Sequence, residues 1–405
     1  MRVGISMIGL AVAATVLWPG AAGASPFKTV YRFQGGDDGN KIYSNLLNVG
    51  GTFYGVTSQG GTSHVGTVFS FDPASGLKSV LYNDPGGKIG KYPSAPLIMR
   101  NGMLIAVNGE GGSKNCTYGC GTVFTVDPAT QSGALLYSFL GGNDGESPNG
   151  GLTYARGGYF GTTLFGGGTN CNFGLGCGVL FKVDAVSGAE KVVLRFNGTA
   201  DGYEPVAGLI RKGDTLYGTT WLGGPNGNGA VFSFDLATGK ETVLYGFSGG
   251  SDGGGPNSQL LYANSMLYGV TQWGGVSGSC EPVGSPGCGT VFSIDPVSGT
   301  KTTLYSFQGF DDGASPNALA YRDGVLYGTT SEGGGRSGDD CFENYGCGTV
   351  FSLNISTGAE TVLFRFQPAR TGNNPYAGLT YLHRFFYGTT SGFSGDHGTI
   401  FRIRP

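Results

Sequence analysis

Charge is scarce in this chain. Asp, Glu, Lys and Arg make up 13% of 405 residues and leave a formal net charge of −3. That excludes the basic patch a nucleic-acid partner needs, and no block of like charge marks an acidic or basic tail. Histidine is scarcer still, at three residues. The G-x-S-x-G, H-E-x-x-H and P-loop patterns are all missing, so no familiar catalytic set is in view. Beyond Trp18 no stretch is long and apolar enough to cross a bilayer, and no helical periodicity of useful length appears. Nothing in the composition calls for a cofactor or a metal.

What the chain has in quantity is glycine. There are 80 glycines and 18 prolines, a content close to that of disordered low-complexity sequence. Two features oppose disorder: aromatic residues reach 12%, and the glycines recur in register. A periodic, glycine-rich chain with many Tyr and Phe reads as short strands joined by turns.

The N-terminus reads as a targeting segment. Arg2 precedes an apolar run over residues 3–18, then Pro19-Gly20, then Ala22-Gly23-Ala24. This is the order of a secretory signal cut before Ser25, giving a signal over 1–24 and a mature chain over 25–405. A membrane anchor is the alternative, but the run is short for a span and a cleavage site follows it. No cysteine follows the run, as a lipoprotein would require. All eight cysteines lie further on, as Cys116/Cys120, Cys171/Cys177, Cys280/Cys288 and Cys341/Cys347. An even count in an exported chain favours disulfides within the close pairs. Zinc would need two pairs, or a pair and histidines, at one point.

GTVF or a close relative starts at Gly66, Gly121, Gly178, Gly229, Gly289, Gly348 and Gly398. Three other pieces recur in phase: a GLTY-like piece, LYGTT and TVLYSF. Each of seven units thus offers four short strands, A to D, rich in Val, Thr, Tyr and Phe. Turns such as DPASG at residues 72–76 join C to D. Four strands in units of this length make a β-propeller blade. The mature chain opens with KTVYRF, residues 28–33, a D strand without A, B or C before it. It closes with GTIFRIRP, a C strand without a D. The expected fold is therefore an all-β, seven-bladed propeller of four-stranded blades. The N-terminal strand completes the last blade.

Seven in-phase copies of LYGTTxxGG, GTVFSxDPxTG and ETVLYSF resemble the bacterial GloVer tandem-repeat family. The resemblance covers nearly all the mature chain. It implies an exported, propeller-like protein, in a family whose members carry varied surface anchors and whose function is not established. The final strand runs up to Pro405, so no appended anchor is expected from this sequence.

In such a fold the B–C and D–A loops share one face. Two residues between LYGTT and its glycine pair vary from blade to blade, at the exit of strand B. The slot holds Phe165, Trp221 and Trp273 on consecutive blades, with Glu110 and Glu332 flanking that sector. Phe173 lies in a nearby loop. Flat rings beside carboxylates suit a sugar, whose C–H faces stack and whose hydroxyls need acceptors. Packing under the loops is the plain alternative. Asp37/Asp38, Asp144, Asp201, Asp252 and Asp312 sit in repeated Asp-Gly loops, which are tight-turn signals or, alternatively, calcium ligands. His64 and His397, with Asp396, lie in loops of neighbouring blades and could bind metal or move protons, though exposed loop histidines usually do neither; His383 falls on the opposite face. The preferred expectation is an exported, monomeric, non-catalytic binding scaffold for a polysaccharide or a cell-surface protein, with no metal and no cofactor. One alternative is a polysaccharide hydrolase or lyase using Glu110 and Glu332. A second is a structural envelope protein.

Overall fold

The computed structural model describes residues 26–405, apart from 169–170, 172–173, 276–279, 281–285, 310, 336–340, 342–345 and 393–394. The expected signal segment and Phe173 fall outside the described residues. No helix among the described residues is long and apolar enough to cross a membrane.

The chain forms seven antiparallel sheets, one per repeat, arranged as the blades of a propeller. Blade 4 shows the plan: strand A Ile210–Lys212, B Thr215–Thr220, C Ala230–Asp235 and D Glu241–Gly246, hydrogen-bonded in that order. In blade 6 strand A is one continuous run, Ala314–Arg322. In blades 2 and 3 a short extra strand, Lys91–Pro93 or Glu146–Pro148, also pairs with B.

Each sheet is apolar on both faces because each is covered by a neighbour on both sides. The buried core accordingly divides into clusters that straddle blade junctions. One joins Ile105, Val123 and Phe139 of blade 2 to Leu152, Tyr159 and Phe181 of blade 3. Another joins Phe33 and Ile400 of blade 7 to Ile42, Phe53 and Phe69 of blade 1. Glycine in LYGTT is a packing requirement. A Cβ on Gly218 would lie 2.6 Å from the Phe232 ring and 2.8 Å from Leu209. Blade 2 instead carries Ala106 opposite Phe124.

The ring closes as expected. Strand Phe27–Arg32 pairs with Thr399–Ile403 and becomes the outer strand of blade 7. It also carries the bulge common to the other D strands: the register skips Val30 as it skips Leu136, Leu244 and Leu363 elsewhere. A bulge sharpens the local twist, so the N-terminal strand reproduces the D-strand geometry in detail.

All four cysteine pairs are disulfides, with Cα atoms 4.9–5.2 Å apart. Such bonds suit a chain that folds in an oxidising compartment, extracellular or periplasmic. They close loops of only 4 to 8 residues. Replacing Cys116 and Cys120 together by Ser is expected to cost about 2 kcal/mol of unfolding free energy, measured in urea, with the β-sheet circular dichroism intact. A variant without sheet signal would show that the bridge is needed for folding itself.

Candidate functional site

The loop-bearing face is organised by a backbone feature that repeats on every blade. On the way into strand A, or at its first turn in blade 6, the chain passes through a residue with φ near +60°: Lys41, Tyr92, Ser147, Glu204, Gly255, Ser315 and Asn374. Six of the seven are not glycine, and a left-handed conformation costs such residues roughly 1–2 kcal/mol. Strain of this kind persists only where the surroundings impose it, and it gathers at functional positions. The imposing groups are visible. The amides of Tyr92, Ser147, Glu204, Gly255, Ser315 and Asn374 bond the carbonyl just before strand C of the preceding blade, as Tyr92 does to Val65 (2.8 Å) and Gly255 to Asn228 (2.9 Å). At four junctions that carbonyl belongs to the second cysteine of a disulfide: Cys120 to Ser147, Cys177 to Glu204, Cys288 to Ser315 and Cys347 to Asn374. The disulfides therefore brace the rim of the central opening as well as their own loops.

A proline follows six of the seven left-handed residues and fills the space that glycine leaves at the start of the preceding strand C. A Cβ on Gly121 would meet Pro148, and one on Gly348 would meet Pro375, at 2.7 Å or less. At the closing junction Ile42 takes this place against Gly398. The residue after the proline, or after Ile42 in blade 1, lines the space at the centre of the ring. Tyr43, Ser94, Asn149, Val206, Asn257, Asn317 and Tyr376 come together there, with one contribution from each blade.

Over blades 1 to 3 the opening widens into a pocket of about 550 Å³. Its walls include Tyr43, Gln59, Tyr92, Ser94, Glu110 and Asn149. Glu110 is held by Lys91, Nζ to Oε2 2.8 Å, and the same ammonium lies 5.0 Å from the centre of the Tyr92 ring. Tyr43 is 39% exposed and stands 5.6 Å from the Tyr376 ring, which is exposed to the same degree.

The structure distributes the sequence-predicted residues over separate places. Trp221 and Trp273 do meet, edge to face, with centroids 5.5 Å apart. The Trp221 indole donates to Gln272 Oε1 at 3.0 Å. The Trp273 ring covers Gly254 and Gly255, where a Cβ on Gly255 would lie 2.2 Å from it. Both rings stay partly exposed. Phe165 sits opposite Glu146 at a strand end and joins neither tryptophan. Glu110 alone of the five lines the blade 1–3 pocket. Glu332, on blade 6, accepts from Ser315 Oγ at 3.1 Å, and burial pushes its carboxyl above the usual range. The rim residues before each proline, and the ring after it, were missed. Their signal was the recurring proline of SPN at residues 147–149 and 315–317 and of GPN at 255–257.

The Asp-Gly loops use their carboxylates internally. Tyr31, Tyr137, Tyr245 and Tyr305 donate to Asp38, Asp144, Asp252 and Asp312 at 2.6–2.9 Å. The same carboxylates accept the backbone amide four residues upstream, as does Asp201 from Asn197. This is turn chemistry. His397 packs on Gly35, in the place the Cys116–Cys120 bridge takes against Gly141, and Asp396 pairs with Arg32 at 3.4 Å. His64 is exposed. Among the described residues no three His, Cys, Asp or Glu side chains gather at one point.

Comparison with known proteins gives a family and a fold. The model of a family described as the Gloeobacter/Verrucomicrobia repeat matches residues 15–175 and 172–401. No curated protein matches the sequence. Among solved structures, the extracellular domain of what is named a hybrid two component system of B. thetaiotaomicron aligns with TM-score 0.60 and 11% identity, over 92% of this chain and 39% of that one. A protein named as a 6-phosphogluconolactonase of Bacteroides uniformis aligns with TM-score 0.52 and 15% identity, over 83% and 88%. An oligogalacturonate lyase solved with manganese gives 0.51 and 13%, over 90% and 89%. At these identities the likeness is one of fold alone.

Proposed function

The chain belongs to the Gloeobacter/Verrucomicrobia repeat family, and we propose that this member is an exported, non-catalytic scaffold that binds carbohydrate at its loop face. The observation that carries the reading is the pocket over blades 1 to 3. It offers two tyrosine rings, amide and hydroxyl groups from Gln59, Ser94 and Asn149, and one carboxylate already neutralised by Lys91. Sugars are bound by such sets: a ring for the C–H face, and donors and acceptors for the hydroxyls. Its volume of about 550 Å³ suits a short oligosaccharide. Glycoside hydrolysis takes two carboxyl groups roughly 5–10 Å apart. Glu110 is the one carboxylate among the residues that line this pocket, which favours binding over cleavage.

The test is calorimetric titration of the mature chain with a panel of soluble polysaccharides, with assay of new reducing ends in the same samples. Saturable heat without new ends is the expected result, and Tyr43→Ala is expected to weaken binding about tenfold. Turnover that Glu110→Gln abolishes would replace the scaffold reading with a hydrolase or lyase. A flat titration across the panel would end the carbohydrate reading.

A further inference from the structure

Below the pocket the opening continues along the propeller axis as a channel of about 390 Å³. The segments that enter strand A wall it on all sides, and every blade contributes. No Asp, Glu, Lys, Arg or His is among its lining residues. Its polar groups are neutral, and several are already held by protein: Gln259 Nε2 donates to Leu209 O at 2.8 Å, Asn317 Nδ2 to Pro375 O at 3.0 Å, and Ser94 Oγ to Asn149 Oδ1 at 3.2 Å. Two are not. Asn257 Oδ1 and Ser258 Oγ are shielded from solvent and have no protein partner. Groups left in this way are completed by an ordered water or by a bound group that can hydrogen-bond. Small residues, Gly151, Ala207 and Gly208, keep the wall low, and Tyr43 and Tyr376 stand at its rim. Tyr43, Ser94 and Asn149 line both the channel and the pocket, so the two spaces adjoin.

We propose that this channel receives the terminal residue of an uncharged glycan, so that the protein captures chain ends. The proposal rests on the carbohydrate reading of the pocket. Its physical basis is shape and charge. A space walled on every side admits a chain only by an end, because an interior segment cannot enter from the side. A wall without a cation offers a uronate no counter-charge for the desolvation its carboxylate would suffer.

The mature chain is titrated calorimetrically with cellohexaose, maltohexaose, mannohexaose and xylohexaose, with the parent polysaccharide of each, and with hexagalacturonate. One neutral hexamer is expected to bind one to one. Its parent polysaccharide then binds in proportion to its chain ends, so capacity per gram falls with chain length, and hexagalacturonate does not bind. Val206→Trp adds bulk at the channel wall and is expected to weaken the hexamer about tenfold, and Asn257→Leu to weaken it measurably. Capacity that follows polysaccharide mass, with affinity for the hexamer unchanged in Val206→Trp, overturns end capture and leaves the carbohydrate reading standing. The comparison of polymer with hexamer uses the wild-type chain and decides the matter even where a variant folds poorly. Failure of every probe to bind removes both readings.

Discussion

Deleting residues 26–33 leaves a protein that aggregates and melts well below the full-length chain. The strand removed supplies the whole outer edge of blade 7, pairing with Thr399–Ile403 from Phe27 through Arg32. Its loss exposes the amides and carbonyls of a central strand as an unpaired edge, which templates association. It also removes apolar cover from two junctions at once. Phe27 stacks on Phe364 of blade 6, centroids 3.6 Å apart, and lies 5.4 Å from Phe401 of its own blade. Phe33 is 1% exposed and packs edge-on to Phe69 of blade 1. Either phenylalanine cut to Ala is expected to cost about 3–5 kcal/mol. The deletion removes both together with the strand's backbone pairing, and its effect is larger than either. Thermal melts and size-exclusion profiles of the deletion and of Phe27→Ala check this. A deletion that melts with the wild type and stays monomeric would mean that blade 7 is stable with three strands and that ring closure contributes little.

This closure was legible in the sequence because repeats turn register into a count. KTVYRF matched TVLYGF at a phase where the first unit had no place for it, and GTIFRI ended where a D strand was due. The disulfides were legible for the same reason, since each second cysteine precedes the glycine of a C strand. The rim was not legible. Lys41, Tyr92, Ser147, Glu204, Gly255, Ser315 and Asn374 share no side-chain chemistry, and only their φ and their place in the hydrogen bonding unite them. Nor could chain order show that Trp221 and Trp273, on different blades, close on each other in the folded ring. Two rings in one sector suggested a platform. In the structure each gives part of its surface to the other, and Trp273 fills the space over Gly254 and Gly255. The variable slot thus partly fills the space that the glycines of the D–A loop leading into the same blade leave open.

Stability is expected to rise as pH falls from about 9 to about 5, the reverse of the usual behaviour of a carboxylate-rich fold. At the blade junctions the Asp of the D–A loop faces the first residue of the next D strand. At two junctions that residue is lysine. Lys78 binds Asp38 at 2.7 Å and Lys301 binds Asp252 at 2.8 Å, with both ammonium groups buried. At three others it is Glu190, Glu241 or Glu360, set near Asp144, Asp201 or Asp312, and one oxygen of each glutamate is buried without a partner. Burial first, then the neighbouring aspartate, pushes Glu190 up to about 8 and Glu241 and Glu360 up to about 7; Arg195 and Arg365 offset this in part for Glu190 and Glu360. A carboxyl whose folded value exceeds its ordinary 4.5 holds its proton more tightly when folded. The stabilisation is complete below that ordinary value and is lost as pH rises through 7 to 8. Asp38 and Asp252 act in the opposite sense. Burial raises them, but Lys78 or Lys301 and their hydrogen bonds outweigh it and hold both below 3.8, so their contribution is lost only in stronger acid. Maximum stability therefore falls between these limits. Melting temperatures from pH 4 to 9 are expected to decline on the alkaline side by several degrees, on the order of 5 °C for a domain of this size. The triple change Glu190→Gln, Glu241→Gln and Glu360→Gln is expected to flatten that decline and raise the value at pH 8. Lys301→Glu installs a fourth acidic pair in place of an ion pair and is expected to steepen it. If the triple variant keeps the wild-type slope, the pairs are solvated well enough to ionise freely, and the pH dependence must arise elsewhere.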